Sequence, residues 1–108
     1  MLESSLEVTV GNGVAFSFVV VNAGDMPIEL TFRDACRADV AVYEGEEPVW
    51  RYSDGKAFTQ SLTVADLQPG EKSRFEEVWP DSTAGNYTAE AALCVEEHDV
   101  RAMTPFSV

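Results

Sequence analysis

Basic side chains are scarce: seven stand against nineteen acids, giving a net charge of −12, and Lys occurs only at Lys56 and Lys72. Such a surface repels phosphate, which argues against nucleic acid and anionic membrane as partners. High carboxylate density with Lys nearly absent is how proteins stay soluble in concentrated salt. A salt-adapted surface is therefore the first reading, and an acidic docking face the second. Histidine is confined to His98, inside Glu96-Glu97-His98-Asp99. A Ser-His-Asp centre needs a His base, and one ringed by acids beside a strand end reads as a solvated turn residue. Gly-x-Ser-x-Gly, His-Glu-x-x-His and phosphate-cradling glycine loops are missing, so an enzyme is not expected. Cysteine appears only at Cys36 and Cys94. With His98 these lack the close pairs of a structural zinc site, and two reduced, unlinked thiols are the favoured reading. An immunoglobulin-like layout would nonetheless let them approach each other. The acid runs at 44–47 and 96–99 lack the spacing of a calcium loop and read as solvated faces, so neither a metal nor a cofactor is expected. No apolar run approaches the roughly 20 residues that cross a bilayer. The longest, 14–21, is broken by Ser17 and reads as a buried strand. The first residues carry no basic stretch followed by an apolar one, so the expected address is the cytoplasm.

What the chain does have is alternation. Phe16, Phe18 and Val20 share one parity, as do Leu30 and Phe32 with Ile28, Val40 with Val42, and Tyr87, Ala89, Ala91 and Leu93 with Val95. Phe58, Gln60, Leu62 and Val64 alternate with Thr59, Ser61 and Thr63, predicting another strand. Residues 72–79 form one more, closed by Trp79 and Pro80. A period of two with no long helical pattern predicts an all-β chain. Turn residues fall between the runs at Gly11-Asn12-Gly13, 22–25, 44–48, Asp54-Gly55, Gln68-Pro69-Gly70 and 81–86. Eight or nine short strands at this spacing predict an immunoglobulin-like antiparallel β-sandwich, a single domain over 1–108 and a monomer. Residues 19–32 look like the corner between the second and third strands of such domains. Gly85-Asn86-Tyr87 looks like a late strand where a Tyr packs at a corner.

One stretch is more specific. Trp50-Arg51-Tyr52-Ser53-Asp54-Gly55-Lys56-Ala57-Phe58-Thr59-Gln60, followed by Leu67-Gln68-Pro69-Gly70-Glu71 and then Trp79, resembles the intracellular proteinase inhibitor (BsuPI) family, here in a haloarchaeal-type, acid-rich form. The resemblance covers roughly 16–93 and is sharpest over 49–71. It implies a small all-β inhibitor of serine proteases, chiefly of the subtilisin type, with an intracellular serine protease as partner. Such inhibitors present a rigid exposed loop whose ordering cost is already met by the scaffold. The resemblance carries over no inhibitory residue. The loop carrying Arg51, Tyr52, Ser53, Asp54, Gly55 and Lys56 is the first candidate, with Tyr52 as its large side chain. Met26 and Pro27 form the alternative, and Met103 is a third large residue near a Pro. Each has a plainer reading: Trp50, Tyr52 and Phe58 as core aromatics, Ser53, Asp54 and Gly55 as turn formers, Met26 as a gap filler, and Met103 as part of a final strand. Gln60, if buried in its strand, would pin the neighbouring loop. The competing functional reading is a protein-interaction sandwich without inhibitory activity.

Overall fold

The computed structural model describes all residues 1–108 as nine strands and no helix: β1 Leu2–Gly11, β2 Gly13–Asn22, β3 Ile28–Phe32, β4 Ala38–Glu44, β5 Glu47–Arg51, β6 Thr63–Leu67, β7 Lys72–Trp79, β8 Asn86–Leu93 and β9 Arg101–Ser107. One sheet has the order β1-β2-β7, the other β5-β4-β8-β9, and β3 pairs with β6. All pairings are antiparallel. The immunoglobulin-like sandwich expected from the alternation is therefore the fold.

The inward parities are those read from the sequence. Phe16, Phe18, Val20, Val40, Val42, Ala89 and Ala91 are all essentially inaccessible, within one core cluster of 17 buried residues. Burying each large apolar side chain contributes about 1.5–3 kcal/mol. A closed circuit of rings spans the two sheets at one end: Phe16–Trp50 at 5.9 Å between centroids, Trp50–Trp79 at 6.2 Å, Trp79–Tyr87 at 5.2 Å, Tyr87–Phe106 at 5.6 Å and Phe106–Phe16 at 6.0 Å. The Tyr87 hydroxyl donates to the Thr83 carbonyl at 2.9 Å, which is the corner packing expected of that residue. A Cβ on Gly85 would meet the same oxygen at 2.9 Å, so only glycine fits there. Along the seam between sheets, Ser4 Oγ donates to the Arg101 carbonyl (2.9 Å) and Thr104 Oγ1 to the Leu6 carbonyl (2.6 Å).

Two expectations need correction. The 19–32 segment is not a corner into the facing sheet: β3 pairs only with β6, as a separate two-stranded ladder beyond a break at 23–27, and Asn22 bonds to Glu71 and Gly70 extend the β2–β7 ladder up to that break. The change of sheet comes later, between β3 and β4. The alternating run 58–64 is also not a strand for most of its length, since β6 begins only at Thr63. Residues 56–62 are irregular, and Gln60, Leu62 and Val64 are exposed, Leu62 at 66%. That alternation comes from Ser and Thr spacing in a coil, not from a buried face.

Candidate functional site

β8 orients the molecule. At its start lie the 80–85 turn and the β4–β5 hairpin turn; at its end gather the connections 33–37, 52–62 and 94–100. The first candidate loop belongs to this second cluster. It leaves β5 at Arg51 and turns twice in succession, with Asp54 N–H donating to the Arg51 carbonyl (3.2 Å) and Lys56 N–H to the Ser53 carbonyl (3.2 Å). Gly55 takes φ 74°, the left-handed region that glycine reaches without strain. Residues 51–56 are thus coiled, and the irregular segment 57–62 carries the chain back to β6.

One acid fastens the coil. Asp39, at the start of β4, accepts from Ser53 N–H (3.1 Å), Ser53 Oγ (2.7 Å) and Arg51 Nη1 (3.4 Å). Arg51 Nη2 also donates to the Tyr43 hydroxyl at 3.3 Å. Tyr52 N–H donates to the Val40 carbonyl (2.9 Å), and Ala35 N–H to the Thr59 carbonyl (2.9 Å). Sequence reasoning missed Asp39, because nothing about a single Asp before a strand distinguishes it from its many acidic neighbours.

Tyr52 does not project. Its ring packs against the core edge, 6.3 Å from Phe58, with Lys56 Nζ 4.7 Å from its centroid. Burial pushes its hydroxyl above the ordinary tyrosine value, as does the nearby Glu77. Burial likewise raises Glu77, against the pull of Lys56 and the Tyr52 hydroxyl. Asp54, Gly55, Lys56 and Ala57 are the exposed tip, and Leu62 is the large apolar side chain left in solvent.

The alternative pair, Met26 and Pro27, occupies the break between β2 and β3. Met26 is 71% exposed, but its carbonyl accepts Asn22 Nδ2 at 2.7 Å. Asn22 is fully buried, and the same amide donates to the Leu67 carbonyl (2.8 Å) and accepts Gly24 N–H (2.9 Å). A substrate-like residue must turn its carbonyl toward the protease's oxyanion donors, and Met26 turns its own inward. Met103 lies within β9, opposite Glu90, in no loop at all.

Cys36 and Cys94 are free thiols with their sulfurs 2.7 Å apart. Their adjacency is the approach that the layout permitted. They border a cleft of about 380 Å³ that Ser53 and Phe58 of the candidate loop also line. No group of three or more His, Cys, Asp or Glu side chains is arranged to hold a metal.

A solved structure, the beta-glucosidase from Kluyveromyces marxianus in complex with glucose, aligns with all of this chain (100%) but only 14% of its own, at a TM-score of 0.52 and 16% identity. That likeness concerns the fold alone. A search of curated proteins returned no match. The family description "BsuPI: Intracellular proteinase inhibitor" matches residues 2–98, nearly the whole sandwich. This is a family of inhibitors and not of enzymes, and its partner is a protease. The chain belongs to the intracellular proteinase inhibitor (BsuPI) family.

Proposed function

We propose that this protein is a monomeric cytoplasmic inhibitor of a subtilisin-like serine protease, and that it engages the enzyme through the loop at 51–62. Membership of the inhibitor family over residues 2–98 carries the reading. The loop is favoured because it is exposed at its tip yet tied at both flanks, by Asp39 to the coil and by Ala35 to Thr59. Ordering lost before binding does not oppose binding. Within it, Arg51, Tyr52 and Ser53 shape the coil, whereas Asp54, Gly55, Lys56 and the segment out to Leu62 meet the enzyme. Leu62 supplies the exposed apolar anchor that subtilisin-type clefts accept. Met26 and Pro27 are the weaker choice, since the Met26 carbonyl is bound to Asn22. The acid-rich surface belongs to the same reading as an adaptation to concentrated salt.

The experiment is residual activity of subtilisin-type proteases, halophilic ones included, titrated with this protein in molar KCl. Stoichiometric loss is expected, and Leu62→Asp should weaken it at least about tenfold without lowering the melting temperature, as for a central interface anchor. Full activity at excess inhibitor sinks the proposal. In that event the coiled form of 51–56, unlike an extended substrate segment, favours the second reading: a sandwich that binds a protein partner without blocking a protease.

A further inference from the structure

The pair of thiols is placed by hydrogen bonds from the main-chain N–H of each cysteine. Ala38 and Leu93 are the last register partners of β4 and β8. Just beyond them, Cys94 N–H donates to the Arg37 carbonyl at 2.9 Å. Cys36 N–H is held by Asp34 Oδ1 at 2.9 Å. The two sulfurs then meet at 2.7 Å, inside the contact distance of two unbonded sulfur atoms. Linking them needs only the small approach of the two sulfurs to a covalent bond. The adjoining cleft gives a small molecule a way in, with the Arg33–Glu96 ion pair (2.7 Å) on its rim.

We propose that Cys36 and Cys94 form a redox latch, closing to an intramolecular disulfide by exchange with a small-molecule disulfide of the glutathione type. One thiolate attacks a sulfur of the incoming disulfide, making a mixed disulfide and expelling one small thiolate. The second cysteine attacks the protein sulfur of that mixed disulfide and expels the other. Two electrons pass from the cysteines to the small disulfide, and the two thiol protons leave with its two thiol products. Burial raises both cysteines above the ordinary thiol value, so the exchange is slow at neutral pH and speeds up with alkalinity. The same burial shields the bond once made.

Closing the latch joins residues 58 apart in sequence and fastens the 33–37 connection, which holds Thr59 through Ala35, to the end of β8. It therefore stiffens the floor under the 51–62 loop, although the bond itself forms whether or not that loop binds a protease. The test treats reduced native protein, freed of reductant, with oxidised glutathione at pH values rising from about 8.5, the ordinary thiol value, to about 10, with prolonged incubation because burial holds both thiols protonated. Intact mass should fall by two hydrogens, and a non-reducing digest should join the Cys36 and Cys94 peptides. The melting temperature should exceed that of the reduced form by about 10 °C, the scale expected for closing a long loop in a small domain. Cys94→Ser should show no such loss of hydrogens and no redox-dependent melting. An unchanged mass, a stable bis-glutathione adduct, a covalent dimer or an unshifted melting temperature each overturns the latch. None of these readouts involves a protease.

Discussion

At the scale of single residues, Asp39 organises the loop and Glu77 strains against its surroundings. The Asp39 carboxylate is the shared acceptor for Ser53 and Arg51, so Asp39→Ala should cost about 2 kcal/mol, typical for hydrogen bonds to a charged group. It should also open residues 52–62 to nicking by an unrelated protease, read by mass of the fragments. Asp39→Asn should lose less, keeping one acceptor oxygen. Glu77 behaves in the opposite way. Because burial raises its pKa, the folded chain holds that proton more tightly than the unfolded one does. Protonation therefore favours folding, and stability declines as pH climbs from the ordinary value of 4.5 through the raised folded value. The deficit is complete above that window. Glu77→Gln should accordingly stabilise the protein at neutral pH, by roughly 0.5 kcal/mol given solvent screening of a partly exposed group. It should change little at pH 4. Urea midpoints at the two pH values measure the difference.

At the scale of elements, the ribbon that contains β2 and β3 on one side and β6 and β7 on the other depends on Asn22 where its ladder breaks. The buried amide ties Gly24 and Met26 within the break and Leu67 across the ribbon, and Asn22 N–H and C=O also pair with Glu71 and Gly70. Asn22→Ala should lower stability by about 2–4 kcal/mol, since it leaves the buried Leu67 carbonyl without a donor and removes the amide's two other bonds. The urea midpoint should fall with an unchanged slope, showing lost stability in an otherwise intact fold. Much of this architecture was legible. Strong apolar alternation located β2, β4 and β8, and Pro80 marked the end of β7, because a pleated half-buried strand imposes that pattern directly. Residues 58–64 misled because the same letters in a coil have no face to bury. The site was legible only as a region. Asp54-Gly55 announced a turn, but the inward packing of Tyr52 depends on Phe58 and Glu77, and the anchoring by Asp39 depends on contacts between distant strands. Neither leaves a local pattern. The meeting of Cys36 and Cys94 is of the same kind, fixed by the β4–β8 register.

At the scale of the whole molecule, nineteen acids lie on a chain of 108 residues. The ion pairs are few and mostly exposed, such as Arg33–Glu96 and Arg101–Asp99, so they do little to offset the repulsion. Screening should then stabilise the fold: raising KCl from about 10 mM to molar concentration shortens the Debye length from about 30 Å to about 3 Å. The melting temperature should climb by roughly 5–10 °C, equivalent to about 1–2 kcal/mol for a domain of this size. A flat or falling curve would leave the acidic surface to be read as a docking face.

The final residue is pinned far from the loop. Val108 exchanges two backbone hydrogen bonds with Gly85, beside the start of β8, whereas Thr59 is tied to Ala35 near that strand's other end. Eight residues of strand separate those points, about 26 Å of rise. A tether leaving from Val108 would therefore hold the protein to a sensor chip or resin with 51–62 facing outward. Immobilised in that orientation, it offers a direct way to fish for whatever the loop captures.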